Sequence, residues 1–268
     1  MKTINNVATL TNVNGVGVIA INFPPVNALS ASVRDGIHGA MQAAIADPAI
    51  DAVVLRCEGS TFIAGADITE FGKPPAGVSL GEVQRILEES PKPVVAAIHG
   101  TALGGGLEVA LVCHYRIAVP TARLGLPEVN IGLLPGAGGT QRLPRIVGPE
   151  AALEMMTSGA HVRAKDALQS GLLDELAPED DLSGAAVALA RRVVDEKRSL
   201  RKIRDQNEKV EAARGHPEIF AQFRQANAKK FRGFEAPKKI IECVEAAVNL
   251  PIDEGLQLAQ VHHGEVQA

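Results

Sequence analysis

Alternating apolar and polar residues open the chain and predict a β-hairpin. Residues 7–12 and 16–23 both alternate, and Asn14-Gly15 stands between them. An Asn-Gly pair readily takes the positive φ angles that a two-residue hairpin turn requires. We therefore predict two antiparallel strands joined at this turn.

Helical and strand patterns then follow one another along the chain. Helices are predicted where apolar residues recur at helical spacing, over residues 33–45, about 80–90 and 105–113. Strands are predicted in short apolar, mostly β-branched runs, over residues 52–59, 93–100 and 115–120. Strands that alternate with helices form parallel sheets, so we expect an α/β fold with a mostly parallel sheet. Beyond about Gly148 only helical spacing remains, which predicts an all-α C-terminal region.

Composition narrows the class of protein. The 268 residues suit one large α/β domain with an appendage, and 46% hydrophobic with 22% charged residues is ordinary for a globular protein. The net charge of −4, the absence of Trp and an aromatic content of 3% disfavour a nucleic-acid partner. Positive charge is nevertheless concentrated in residues 197–239, with 13 Lys and Arg against 5 Asp and Glu. A solvated helical surface or contact with an anionic ligand would each explain this excess.

The cysteines and the apolar runs indicate a compartment. Cys57, Cys113 and Cys243 are far apart among apolar neighbours, which favours free buried thiols in a reducing environment. No segment has 18 consecutive apolar residues, so no membrane span is predicted. The N-terminus lacks the pattern of a cleaved signal peptide, and we expect a cytoplasmic protein.

The sequence lacks the motifs of several common nucleotide-binding, hydrolase and metal sites. The glycines do not form the dinucleotide fingerprint or a phosphate-binding loop, and no GxSxG nucleophile motif is present. No metal site is expected, since the histidines and cysteines lack ligand spacing. For His114, beside Cys113, a packed histidine is a simpler interpretation than a metal ligand.

Three segments carry chemistry that composition does not explain. In "STFIAGADITEF", residues 60–71, small residues after a strand would let a ligand approach two backbone N–H groups. In residues 99–118, Gly104 to Gly106 precede a helix with Glu108 among apolar neighbours, where an unpaired carboxylate is costly. In residues 124–145, Pro127 precedes Glu128. The two glutamates are separated by a helix and a strand and are predicted to converge as an acid–base pair.

Structural explanations remain open for the first two segments. A tight turn without a ligand would account for residues 60–71. An acidic residue that interacts only with the helix dipole would account for Glu108.

These motifs resemble a known superfamily. "FIAGADI", "GTALGGGLE" and "GLPEVNIGLLPGAGGTQRL" are similar to signature segments of the crotonase, or enoyl-CoA hydratase/isomerase, superfamily. "PPVNALS", "CHYRIA" and the tail 231–256 resemble the N-terminal hydratase/isomerase portion of multifunctional β-oxidation enzymes. The resemblance implies a crotonase-like (ββα)n spiral over residues 1–190, with a helical region over 191–268 packed on it.

The resemblance also implies roles for individual residues. Ala66 and Gly105 match the two N–H donors of the oxyanion hole, and Glu108 and Glu128 match the two catalytic glutamates. Gly136 matches a backbone donor near the catalytic water. Positions that match the CoA and substrate contacts are Val26, Ala64, Asp67, Ile68 and Gly104. Residues that can meet the CoA phosphates are among Lys229, Lys230, Arg232, Lys238 and Lys239.

The implied function is hydration of trans-2-enoyl-CoA to 3-hydroxyacyl-CoA in fatty-acid β-oxidation. A Δ3-Δ2-enoyl-CoA isomerase, alone or as a second activity of the same site, is the alternative, followed by a non-catalytic acyl-CoA-binding protein. The CoA thioester is the substrate, and no cofactor is expected. A homo-oligomer, either trimer or hexamer, or association with β-oxidation dehydrogenase and thiolase components is the expected assembly. Acyl chain length stays open.

Overall fold

The computed structural model describes residues 1–70 and 72–267, so Phe71 and Ala268, which belong to predicted segments, lie outside the described residues. The chain opens with strands β1 (Lys2–Thr3), β2 (Ala8–Val13) and β3 (Val16–Ile21). Strands β2 and β3 pair antiparallel, and Asn14 and Gly15 between them have φ angles of 52° and 82°. The predicted hairpin is therefore confirmed.

The remaining elements alternate as the periodicity predicts. The further strands are β4 (Ala52–Cys57), β5 (Val94–Ile98), β6 (Thr101–Leu103), β7 (Tyr115–Ala118), β8 (Arg123–Gly125), β9 (Val162–Arg163) and β10 (Glu175–Leu176). The helices are α1 (Ala31–Ala46), α2 (Leu80–Glu88), α3 (Gly105–Val112), α4 (Gly139–Val147), α5 (Pro149–Ser158), α6 (Ala164–Ser170), α7 (Leu182–Asp195), α8 (Glu208–Ala213), α9 (Glu218–Asn227), α10 (Ala236–Asn249) and α11 (Ile252–Gln267). Short 3-10 helices cover Ile68–Glu70, Glu128–Ile131 and Ile203–Asp205.

The main sheet has seven strands in the order β1-β2-β3-β4-β5-β7-β10. Pairing is antiparallel in the hairpin and parallel from β3 onward, with Val18 beside Val54 and Leu55 beside Ala96. Strands β4 and β5 are apolar almost throughout, because apolar residues pack on both faces of the sheet. The expectation of a mostly parallel α/β fold is confirmed.

A second sheet stands beside the first and was not predicted. Strands β6 and β8 pair parallel and β8 pairs antiparallel with β9, placing Leu103 beside Gly125. Strands β9 and β10 lie beyond Gly148, so the prediction of an all-α C-terminal region is wrong in detail. Each of these strands has only two residues, which is too short for an alternating pattern to be recognised.

The C-terminal helices cover the core from two sides. Helix α7 packs its buried face against the main sheet, while α10 packs against α4 and α5. The proposed division at residue 190 falls inside α7 and stays a prediction. No helix in the described part of the chain is both long and apolar enough to span a bilayer.

The buried thiols and His114 fit simple structural roles. Cys57, Cys113 and Cys243 are free and buried, as predicted. Burial raises the pKa of the Cys113 and Cys243 thiols to about 12. His114 is fully buried and its Nδ1 accepts from the Val94 N–H at 3.0 Å, while burial lowers its pKa to about 4. It is a packed histidine.

Candidate active site

One cavity of about 530 Å³ brings most of the predicted site residues together. Its walls come from the loop after β4, the start of α3, the 3-10 helix after β8, the turn before α4 and the end of α11. The predicted residues among its lining are Ala64, Ala66, Ile68, Gly104, Gly105, Glu108, Glu128 and Gly136. The structure therefore gathers eight of the ten proposed positions at one place.

Two backbone N–H groups without an acceptor lie on the cavity wall. The N–H groups of Ala66 and Gly105 donate to no backbone or side-chain acceptor within the described residues. The two residues are adjacent, because a Cβ built on Gly105 would stand 3.9 Å from the Ala66 nitrogen. Gly105 is buried, whereas Ala66 beside it is exposed. Because buried N–H groups are normally paired, the unpaired Gly105 N–H, with that of Ala66 next to it, marks a place for an external acceptor.

A glycine with positive φ precedes each of these donors. Gly65 has φ 122°, and Gly104, the N-cap of α3, has φ 53° with ψ −128°. Residues with a Cβ rarely adopt these conformations, so glycine sets the direction of the chain at both donors. Gly105 begins α3, where the helix dipole also favours negative charge.

Position 106 requires glycine for a different reason, which is close packing. A Cβ on Gly106 would collide with the carbonyl oxygen of Ile63, in the same loop as Ala66. A Cβ on Gly100 would likewise collide with the carbonyl oxygen of Ser60. These two glycines allow the loop after β4 to lie directly against the chain leading into α3, which brings the two donors together.

Glu108 is a buried carboxyl group held by the backbone. Its residue is 3% exposed, and its Oε1 accepts from the Ala137 N–H at 2.9 Å and the Gly139 N–H at 2.8 Å. Burial raises the pKa of Glu108 above its ordinary value, and these two donors and the Arg142 charge offset only part of that rise. The two hydrogen bonds fix the orientation of the carboxylate, and Gly139 leaves room for it, because a Cβ there would stand 3.0 Å from Oε1.

Glu128 lines the same cavity, where one of its carboxyl oxygens lacks a hydrogen-bond partner. It opens the 3-10 helix Glu128–Ile131, and its Oε2 is buried without a hydrogen-bond partner in the described residues. Burial and the charge of Glu108 raise the pKa of Glu128 to about 8. Glu128 therefore carries a proton near neutral pH.

The two carboxyl groups are thus unequal in a way suited to proton transfer. Burial raises the pKa of both groups, but Glu108 has two backbone donors and the nearby Arg142 charge that favour its carboxylate, while Glu128 has a buried oxygen without a partner. Carboxyl groups whose environments separate their pKa values can act as an acid and a base at one site. With two free N–H groups beside them, the cavity can bind a carbonyl oxygen and move a proton nearby.

A buried polar layer supports the Glu108 side of the cavity. Gln84 of α2 donates from Nε2 to the Ala137 carbonyl at 2.8 Å and to the Glu108 carbonyl at 3.3 Å. Arg142 of α4 forms two bonds with Glu88, of 3.0 Å from Nε and 2.8 Å from Nη2. This layer joins α2, α3 and α4 behind the site.

Two predicted positions lie outside the cavity lining. Val26 is 40% exposed, and its carbonyl accepts from the Ala64 N–H at 3.2 Å. Asp67 is partly buried, and its Oδ1 accepts from the Thr69 N–H and hydroxyl. Their proposed contacts with CoA stay predictions. Gly136 lines the cavity, but the N–H groups that bind Glu108 are those of Ala137 and Gly139.

The basic residues considered for the CoA phosphates also lie elsewhere. Within the described residues, the cavity lining contains no Lys or Arg. Lys238 pairs with Glu235 at 2.6 Å, and Lys239 pairs with Glu265 at 2.9 Å. Contact with phosphate therefore stays a prediction for this group.

Sequence reasoning missed several residues of the site. Ala137, Gly139, Gln84 and His263 touch Glu108, its supporting turn or the cavity, yet none was assigned a role. Ala137 and Gly139 lie within the signature-like segment 124–145, whereas Gln84 and His263 lie outside the quoted motifs. The backbone donors have no signal in side-chain type, and Gln84 and His263 reach the site from distant helices. Among the described residues, no group of three or more His, Cys, Asp or Glu side chains is arranged to hold a metal ion.

Comparisons with known proteins identify related chains and structures. A family model described as Enoyl-CoA hydratase/isomerase matches residues 11–246. The peroxisomal bifunctional enzyme of Danio rerio is 45% identical, across 94% of this chain and 34% of that protein. A probable enoyl-CoA hydratase of Bacillus subtilis is 46% identical, across 59% of this chain and 64% of that protein. The crystal structure of an enoyl-CoA hydratase from Mycobacterium tuberculosis has a TM-score of 0.67 at 28% identity, covering 98% and 99% of the two chains.

The fold and the site together define a crotonase-fold protein with a paired-glutamate cavity. The chain belongs to the enoyl-CoA hydratase/isomerase family, and the predicted resemblance is confirmed. It spans about a third of the length of the peroxisomal bifunctional enzymes that it matches.

Proposed function

We propose that this chain is an enoyl-CoA hydratase that converts trans-2-enoyl-CoA and water to 3-hydroxyacyl-CoA in fatty-acid β-oxidation. One observation carries the proposal, which is that the unpaired N–H groups of Ala66 and Gly105 share a cavity with the unequal pair Glu108 and Glu128. The names of the relatives and the family description support the same reaction class.

The two N–H groups act on the thioester. As water adds to the β-carbon, negative charge develops on the thioester oxygen, and the Ala66 and Gly105 donors stabilise it. Removing one donor from such a site typically costs about 3 kcal/mol of transition-state stabilisation. The cavity has a largely apolar lining, which strengthens these hydrogen bonds by excluding water.

The two glutamates orient the water and transfer the protons. The carboxylate of Glu108, oriented by Ala137 and Gly139, positions the attacking water, whose oxygen bonds to Cβ. Protonated Glu128 delivers its proton to Cα, and the proton released by the water restores the pair to one shared proton. The balance is one water added across the double bond. General acid–base catalysis of this kind contributes about 10²- to 10⁴-fold.

A Δ3-Δ2-enoyl-CoA isomerase activity is the second candidate. It would use the same N–H donors, while a carboxylate removes a proton from C2 and returns it to C4, with no water added. The family description, which includes isomerases, favours this as an additional activity. The presence of a second glutamate favours hydration as the main reaction, because proton shuttling alone needs one carboxylate.

Turnover of matched thioesters tests these functions. The purified chain is given 2-enoyl-CoA and 3-enoyl-CoA of the same length, and the products are separated by mass and retention. We expect 3-hydroxyacyl-CoA from the 2-enoyl substrate. Conversion of the 3-enoyl substrate alone would assign an isomerase, and stoichiometric acyl-CoA binding without turnover would assign a binding protein. Extending the series over chain length defines the acyl preference.

The proposal also covers the cofactor requirement, the cellular compartment and the assembly of the protein. The reaction needs no cofactor, since the thioester and the residues above supply the required groups. The bifunctional and bacterial relatives leave the compartment open, so a cytoplasmic location stays a prediction. A homo-oligomer, either trimer or hexamer, or association with β-oxidation dehydrogenase and thiolase components also stays a prediction, which mass measurement in solution would test.

A further inference from the structure

The last helix, α11, forms part of the cavity wall. His263 and Gln267, both near its C-terminal end, line the cavity. The helix lies along residues 134–141, since a Cβ on Gly138 would stand 2.8 Å from Leu256 and a Cβ on Gly255 would collide with Gln141. A segment that the sequence presents as a polar tail therefore packs directly on the turn before α4.

His263 makes a specific contact with this turn. Its Nδ1 lies 2.8 Å from the carbonyl oxygen of Leu134, so this nitrogen carries the proton and donates. The imidazole lies on Gly136, where a Cβ would stand 2.8 Å from both Cγ and Nδ1 of the ring. The glycine at 136 thus makes room for the ring of His263.

The same turn orients Glu108. Residues 134–139 contain both backbone donors to Glu108, the N–H groups of Ala137 and Gly139. Gln84 holds the turn from the α2 side through the Ala137 carbonyl, and His263 holds it from the α11 side through the Leu134 carbonyl. Two side chains from distant parts of the sequence therefore secure one short turn.

We propose that His263 is a positioning residue, which keeps the turn 134–139 in place so that its two N–H groups orient the Glu108 carboxylate. This inference rests on the proposed hydratase function, because Glu108 is assigned to the attacking water there. His263 acts through the backbone and needs no contact with the reacting atoms.

The proposal makes a specific statement about pH. The charged groups that face Glu108 are Glu128 from the 3-10 helix and Arg142 from α4, which is paired with Glu88 of α2. Loosening the turn leaves these groups in place but weakens the donors that lower the pKa of Glu108. The acidic limb of the kcat profile, where Glu108 becomes protonated, should then move to higher pH.

Two polar substitutions separate the hydrogen bond from general packing. His263→Asn places an amide N–H at the same number of bonds from Cβ as Nδ1, whereas His263→Gln places it one bond farther. We expect His263→Asn to retain turnover and the acidic limb. We expect His263→Gln and His263→Leu to lower kcat about 10- to 100-fold, with a smaller change in KM and a shifted limb.

A neighbouring substitution controls for changes in α11 itself. Val261 is 58% exposed on the same helix, and Val261→Ala should match the wild type in kcat and in the acidic limb. Thermal melting of all variants reports folding, and the Asn–Gln comparison remains decisive if His263→Leu fails to fold. Equal kcat values and equal acidic limbs for His263→Asn and His263→Gln would overturn the proposal. Absence of hydration by the wild type would instead refute the proposed function.

Discussion

Glu108 and Glu128 line the same cavity with unequal hydrogen-bond partners. Oε1 of Glu108 accepts from two backbone N–H groups, whereas Oε2 of Glu128 is buried with no partner in the described residues. The first arrangement favours a carboxylate and the second favours a neutral acid. This inequality gives each glutamate a different part in the proposed reaction and supports specific expectations.

Neutralising either glutamate should nearly abolish hydration. Glu108→Gln and Glu128→Gln keep the shape of the side chain but remove its ability to exchange a proton. We expect kcat for 2-enoyl-CoA hydration to fall by about 10²- to 10⁴-fold in each variant. Glu154→Gln, at an exposed position of α5, is the matched control and should be unchanged. Near-normal turnover in either site variant would exclude the proposed mechanism.

The activity should decline on both sides of neutral pH. Glu128 must be protonated to deliver a proton, and its pKa is raised to about 8, so kcat should fall as the pH rises through that value. At low pH, protonation of Glu108 removes the carboxylate that orients the water, and kcat should fall again. Measuring kcat at saturating substrate from about pH 5 to about pH 10 tests this. A kcat that stays constant above about pH 8 would contradict the role of Glu128 as the acid.

Glu128 should also make stability depend on pH. Between its ordinary pKa of 4.5 and the folded-state value of about 8, the folded chain keeps a proton that the unfolded chain releases. The free energy of unfolding therefore falls as pH rises through this window. Glu128→Gln removes this pH dependence. The free energy of unfolding of the variant, relative to that of the wild type, should therefore rise between pH 4.5 and about 8 and then stay constant. Urea unfolding at several pH values measures it, and a constant difference would disprove this linkage.

Gly104 should tolerate no side chain. Its φ of 53° with ψ of −128° is unfavourable for residues with a Cβ, and a Cβ there would stand 3.1 Å from Oε1 of Glu128. We expect Gly104→Ala to cost about 1–3 kcal/mol of stability and to lower kcat, because it disturbs both the Gly105 donor and Glu128. Gly59, with φ 79° and open space around it, is the control: Gly59→Ala should lower stability without changing kcat. Equal kcat losses in the two variants would argue against a local effect at the site.

The buried ion pair behind the site should be sensitive to removal of one partner. The side chains of Arg142 and Glu88 are 6% and 4% exposed. Among the described residues, Arg142→Met would leave this buried carboxylate with the more distant Arg204, at 3.8 Å, as its one ion-pair partner. We expect a loss of about 3–5 kcal/mol in chemical unfolding. Glu88→Leu combined with Arg142→Met should recover much of it. Arg191→Met, which removes a partly exposed side chain paired with Asp51 and Asp195 at the surface, should have a much smaller effect. If Arg142→Met and Arg191→Met lowered the free energy of unfolding by similar amounts, this explanation would be contradicted.

Local sequence patterns predicted the main elements because those patterns reflect local physics. The hairpin at Asn14-Gly15, helix α1 and the apolar strands β4 and β5 follow from turn chemistry and periodicity. Strands β9 and β10 were missed, since two residues that pair with a distant strand have no periodicity. Their pairing depends on the completed sheets.

Local patterns in the chain predicted the α/β alternation, and the motifs that resemble the crotonase superfamily indicated the family. The same resemblance proposed Ala66, Gly105, Glu108 and Glu128 as site residues, and their roles stay predictions. Three features became visible only in the folded chain. Ala137 and Gly139 hold Glu108, Oε2 of Glu128 has no partner among the described residues, and His263 reaches the turn 134–139 from the last helix. Backbone donors have no sequence signature, and a contact across 129 residues arises only when helices pack. The unequal hydrogen bonding of the two glutamates is therefore a property of the folded chain.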